Sequence, residues 1–183
     1  MSGTPLPSVG RYETAMEHFG APEWVELAAL PGLLVTREPL RCTGSEAEQG
    51  IVYARASERR AREVALELGA RLPTAAECEA IARDPKVRIV SMCAQKPDHR
   101  MSSPEWARLH DVCVAGKIAQ LQPGEMPWTI GKHWVQAPAG RTAIFGFYLR
   151  SRDPGSIVQR GGTTMHNAAH VDYSMTVVLV KAK

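Results

Sequence analysis

The segment MHNAAHVDYS, residues 165–174, gathers two of the six histidines with an Asp, a Tyr and a Ser. Side chains alternate across a β-strand. If VDYSMTVVLV (171–180) is a strand, Val171, Tyr173, Met175, Val177 and Leu179 form its core face, and His170, Asp172, Ser174 and Thr176 share the other. His166 lies four residues before His170, in a loop that can fold back toward it. Two imidazoles and a carboxylate can hold Zn²⁺ and leave a position open for water, so His166, His170 and Asp172 are candidate ligands of a hydrolytic centre. A metal-free version makes His170 a general base and lets Asp172 fix its tautomer. A third reading keeps the same groups as a structural network, because Asn, His and Asp in loops often satisfy nearby backbone groups. Ser174 is a poor nucleophile candidate, since no Gly-x-Ser-x-Gly elbow surrounds it.

Lys132 and His133 flank Trp134, with Trp128 close by. If the late strands form one sheet, these two complete a catalytic set with His170 and Asp172 and stabilise developing negative charge. The plainer alternative is a snorkelling Lys and a half-exposed His. His110 and Asp111 fall on a helix and read as surface or satisfied core groups. Gly161-Gly162 opens no helix, so it allows a tight turn rather than a phosphate loop.

The elements that position these residues follow from periodicity and punctuation. EWVELAAL (23–30) reads as a short helix stopped by Pro31-Gly32. LLVT (33–36) and IVYARA (51–56) read as strands around a polar loop at 41–50. Ser57 caps a helix over 58–69 with Ala61, Val64, Ala65 and Leu68 inward. Thr74 and Glu77 form a capping box that opens a helix over 75–84. VRIVSM (87–92) is a strand. Ser103 caps a third helix with Pro104 at its first position, an inner stripe of Trp106, Leu109 and Cys113, and an end near Leu121. Beyond Pro123 the pattern turns to strands at 132–136, 142–150, 156–160 and 171–180, with turns at APAG and RDPG. The 142–149 stretch is apolar on both faces and should be central. The fold class is α+β, with N-terminal helices packed on a mostly antiparallel C-terminal sheet. Residues 1–22 form a flexible arm and 23–183 one domain.

The 183 residues are long enough to bury a core, and 44% hydrophobic with 22% charged residues is ordinary for a globular protein. A net charge of +3 is too small to imply nucleic acid. Arg55, Arg59, Arg60 and Arg62, diluted by Glu58, Glu63 and Glu67, read as a solvated helix face. The start holds no signal-peptide core and no run spans a bilayer, so the expectation is a cytoplasmic chain without membrane contact. The four cysteines form no CxxC pair, which predicts reduced thiols, with Cys78 and Cys113 as small core residues.

LPT (72–74), MSS (101–103), GKHWV (131–135), IFGFY (144–148), SIVQ (156–159) and HVDYS (170–174) follow in the order seen in a group of uncharacterised bacterial and bacteriophage proteins, which this chain resembles over roughly 50–181. The resemblance implies one compact domain with His170, Asp172, Tyr173 and Ser174 as the characteristic cluster, and it hints at cell-wall-directed phage proteins. Such proteins often carry Trp-His where this chain has Phe147-Tyr148. ARLPTAAECEAIAR (70–83) and VQRGGTT (158–164) are similar to segments of formylglycine-generating-type domains, which have a C-type-lectin-like fold. That family's paired catalytic cysteines are absent from the tail, so this resemblance implies binding rather than oxidation. Thr164, His166, Ala169 and Val171 also fall in phase with a zinc-peptidase signature, but Asp172 arrives one residue early and would face the opposite side. Two functions are therefore expected in competition. One is a hydrolase, possibly zinc-assisted, acting on a polar polymer such as peptidoglycan, with Tyr173 supporting the site from the core side. The other is a non-catalytic binding or assembly module.

Overall fold

The structure is a computed structural model that describes residues 19–90, 93, 100–137, 143–146, 159–160, 171 and 174–183. The chain is α+β, as expected, but it opens with a hairpin rather than a helix. Strands β1 (Trp24–Glu26) and β2 (Leu33–Thr36) pair antiparallel, with Trp24 opposite Thr36. Aromatic and β-branched residues such as Trp24 and Val25 favour a pleated strand. Pro31-Gly32 forms the turn that brings β2 back, with Gly32 at φ 80°. The expected helix at 23–30 is therefore replaced by a strand and a turn, and the turn is held by Asp84, whose Oδ2 accepts from Ala29 N at 3.0 Å.

Four helices follow among the described residues. Helix α1 (Ser45–Glu48) is a single turn inside the stretch expected as a loop. Helix α2 (Glu58–Glu67) is capped by Ser57, whose hydroxyl accepts from Arg60 N. Helix α3 (Ala75–Arg83) carries the full Thr74–Glu77 capping box. Helix α4 (Pro104–Ile118) is capped by Ser103. These caps match the expectations because they depend on residues three positions apart. IVYARA (51–56) makes only isolated bridges, Tyr53 to Arg41 and Arg55 to Thr176, and no strand. The arm expected over 1–22 is tied down at its end, where Phe19 bridges Cys42 and Gly20 N donates to Arg41 O at 3.0 Å. Residues 1–18 lie outside the described residues.

The later strands are β3 (Val87–Ile89), β4 (Met126–Trp128), β5 (Lys132–Val135), β6 (Ala143–Phe145), β7 (Gln159–Arg160), β8 (Met175–Thr176) and β9 (Val180–Ala182). Strands β3 and β4 pair parallel. A four-stranded sheet runs β7-β6-β5-β8, antiparallel except for the parallel β5–β8 pair. β6 is interior, as its two apolar faces imply. β9 leaves this sheet and pairs antiparallel with β2, giving the order β1-β2-β9.

Two cores lie on opposite faces of β5 and β6. Val135, Ala143 and Phe145 join Cys78 and Ile81 of α3, with Met126, Trp128, Val178 and Val180. Trp134 and Ile144 join Ala61, Val64 and Ala65 of α2, with Met175, Val177 and Leu179. The central strands are thus covered on both faces, which their continuous apolar runs require. Among the described residues, no helix is long and apolar enough to cross a membrane.

Candidate functional site

Lys132 opens β5, and its register partner on the parallel neighbour β8 is Met175. Lys132 N donates to Ser174 O at 2.7 Å, and Thr176 Oγ1 donates to Lys132 O at 3.2 Å. Gly131 makes this approach possible, because a Cβ there would lie 2.6 Å from Ser174 O. A Cβ on Gly146 would only touch Lys132 Cα and Cγ, at 3.4 Å. Ser102 Oγ, just before α4, donates to Val171 O at 2.9 Å. The polypeptide is therefore pinned at Val171 and at Ser174. His166, His170, Asp172 and Tyr173, the rest of the expected site, lie outside the described residues.

Lys132 and His133 do not line one cleft. They are consecutive residues of β5, so they face opposite sides of the sheet. Both are buried, 6% and 1% exposed, which also overturns the snorkelling Lys and half-exposed His. The His133 ring sits in an apolar wall, 5.0 Å from the Trp128 ring and 5.6 Å from Phe145 between centroids. Its Nε2 lies 3.5 Å from Cys78 Sγ. Burial depresses the imidazole to about 3 and pushes the Cys78 thiol well above its usual range. Cys78 and His133 are thus a neutral thiol beside a neutral imidazole, and neither is poised for acid–base or nucleophilic work at neutral pH. Trp128 Nε1 is buried with no hydrogen-bond partner among the described residues. The next residue, Thr129, has φ 60°, a left-handed conformation unusual for a β-branched side chain.

A second buried polar cluster was not foreseen. Arg55 forks onto Asp111, with Nη2 to Oδ1 at 2.6 Å and Nη1 to Oδ2 at 2.9 Å. It also donates to Tyr53 O. Asp111 Oδ2 accepts from Val52 N at 2.8 Å and from Tyr53 N at 3.3 Å. His110 Nδ1 lies 3.1 Å from Arg55 Nη2 and 3.3 Å from Asp111 Oδ1. All three side chains are buried. Burial pushes the Asp111 carboxyl up, but the bonds from His110, Arg55 and Val52 N–H and the Arg55 charge outweigh it and hold the group at about 2. The cluster takes over backbone donors that a strand at 51–56 would have paired. Arg55 is thereby separated from the surface of α2, where Arg59 and Arg60 pair with Glu63 and Glu67, while Arg62 reaches Glu58, which is itself buried rather than solvated.

The cysteines also depart from expectation. Cys93 and Cys113 form a disulfide, and Cys113 lies on the outer side of α4 rather than in the core. Cys78 is buried, as expected, and Cys42 is half-buried with its thiol pushed up to about 11 by burial. Among the described residues, no three His, Cys, Asp or Glu side chains gather as a metal site. No family model matches the chain, and no curated protein or solved structure matches it either.

Proposed function

We propose that the chain is a non-catalytic binding or assembly module on a C-type-lectin-like or related α+β frame, and that its ligand is a polar polymer such as the peptidoglycan met by bacterial and phage wall-directed proteins. The observation that carries this reading is the divergence of Lys132 and His133. A catalytic set needs its members to converge on one reacting atom. These two face opposite sides of β5, and His133 is walled in by Trp128, Phe145 and Cys78. The lectin-like frame is supported by the RLPT segment, where Arg71 forks onto Glu77 at 2.6 and 2.8 Å while Glu77 closes the capping box on Thr74. Pairing of the late strand β9 with the early strand β2 supports it further.

The competing reading is a metal-assisted hydrolase of the same polymer, with zinc on His166, His170 and Asp172. One observation favours it: the parallel register sets Met175 beside Lys132, so those three residues lead directly into the strand next to a buried cation. The Cys93–Cys113 bond fits an oxidising compartment better than the cytoplasm, because reducing compartments do not sustain such bonds.

Cosedimentation of the purified chain with dye-labelled peptidoglycan sacculi, with and without added zinc, separates the readings. A binding module is retained in the pellet and releases no soluble dye. Release by the wild type that is lost in His170→Ala establishes the hydrolase instead. A chain that is not retained in the pellet and releases no dye rejects peptidoglycan as the ligand.

A further inference from the structure

Cys93 and Cys113 are joined across 20 positions of sequence, with their Cα atoms 6.2 Å apart. The two ends of this bond lie in different surroundings. Cys93 is 7% exposed and packs among Tyr53, Val90, Val114 and Ile130. Cys113 lies on the exposed side of α4, next to Val112, which is 71% exposed. A thiol in solution is therefore offered one sulfur and not the other.

The bond also sits where α4 is tied to the rest of the chain. Two residues before Cys113, Asp111 accepts from Val52 N and Tyr53 N and holds Arg55. Tyr53 in turn packs in the cluster that buries Cys93. The stretch 51–56 makes only isolated bridges, so two of its backbone donors depend on α4 for a partner. At the start of the helix, Ser102 precedes the cap Ser103 and donates to Val171 O at 2.9 Å. Ser102 lies inside the covalent ring that the disulfide closes. A 15-residue helix moves as a rod, so freedom gained at Cys113 is carried to Ser102.

We propose that the Cys93–Cys113 bond is a redox-sensitive latch, opened by a small thiol at Cys113, whose opening loosens α4 and the hold of Ser102 on Val171. The step is a thiol–disulfide exchange. The thiolate of the incoming thiol bonds to Cys113 Sγ, the bond to Cys93 breaks, and the Cys93 sulfur leaves with the electron pair and takes up a proton. A second thiolate attacks the small thiol's own sulfur in the mixed disulfide and releases Cys113, which is protonated in turn. Two small thiols are oxidised to one disulfide, the two cysteines are reduced, and the two protons come from those thiols. Cα atoms 6.2 Å apart lie within the span of a disulfide, so oxidation closes the latch again. A reducing compartment opens it and an oxidising one shuts it. The latch acts on the chain's own backbone and does not depend on what the tail binds.

Hydrogen–deuterium exchange on the full chain, oxidised and then reduced with dithiothreitol under native conditions, tests this. Reduction should speed exchange at least about tenfold in peptides over 104–118 and 171–176, and leave α2 peptides over 58–67 unchanged. Alkylation mapping after a limiting pulse of glutathione should find the mixed disulfide on Cys113 and a free thiol at Cys93. Ser102→Ala in the oxidised chain should speed exchange over 171–176 and not over 104–118, which separates the pin on the tail from the latch. Cys113→Ser should match the reduced wild type and ignore dithiothreitol. A bond that survives excess dithiothreitol, glutathione carried on Cys93, or reduction that leaves 171–176 unchanged overturns the proposal. Reduction that speeds exchange in α2 as much as in α4 also overturns it, since the bond is then a staple of the whole fold.

Discussion

Two buried histidines among the described residues sit in opposite surroundings. His110 lies among charges, beside an Arg55–Asp111 fork whose carboxylate also collects two backbone N–H groups. His133 lies among rings and a thiol, and burial alone drives its imidazole down to about 3. One site keeps charges inside the protein by satisfying them from every direction. The other excludes charge altogether. Burial of a histidine therefore says nothing about its role until its neighbours are known.

The largest effect that can break this contrast is removal of one side of the fork. Asp111→Ala takes the carboxylate away from the buried Arg55 guanidinium and from the Val52 and Tyr53 N–H groups, and should cost about 3–5 kcal/mol in urea unfolding. A loss below about 1 kcal/mol would mean that water reaches Arg55 once the carboxylate is gone. Replacing both partners, Arg55→Met with Asp111→Leu, should recover most of that loss, which separates the cost of an orphaned charge from the worth of the pair.

The second effect is a pH dependence with two windows. His133 titrates near 6.5 when unfolded and at about 3 when folded, so the unfolded chain binds the extra proton. Its contribution to stability is complete above pH 6.5 and is lost as pH falls toward 3, at up to about 1.4 kcal/mol per pH unit. Asp111 is also depressed on folding, from 3.8 to about 2, so its contribution fades only below about pH 4. Urea midpoints measured from pH 7 to 4.5 should decline in the wild type and stay nearly level in His133→Leu. An unchanged slope in that variant would place the titration elsewhere.

The smallest effect concerns the sulfur. Cys78→Ala should cost about 1 kcal/mol, the loss of a small apolar group in a packed core. A cost above about 3 kcal/mol would make the contact with His133 Nε2 a structural bond in its own right.

Local features of this fold were legible in the sequence and long-range ones were not. Ser57, Thr74 and Ser103 cap their helices as read, because the partners lie three residues away. Trp24 and Val25 read as helical in the sequence because their strand partners are reached only after the Pro31-Gly32 turn. The inner face of α4 was misread because both its faces carry apolar residues. Leu109 and Cys113 point out, while His110 and Asp111 point in, toward Arg55. The signal that could have found the fork is Arg55 itself, a lone charge between Ala54 and Ala56 in an otherwise apolar run. Lys132 and His133 were correctly placed on a strand, yet alternation along that strand already implied that they diverge.

The union of β2 with β9 also governs the order in which the chain can assemble during synthesis. Thr36 Oγ1 accepts from Leu179 N across 143 positions of sequence, and Lys183 Nζ reaches Glu26 across 157. The amino-terminal hairpin leaves the ribosome long before its third strand does. Until then the LLVT edge presents unpaired backbone groups, a template for pairing with neighbouring nascent chains. Contacts of such separation also slow closure of the fold. The early hairpin is thus a part of this protein that depends on protection while translation continues.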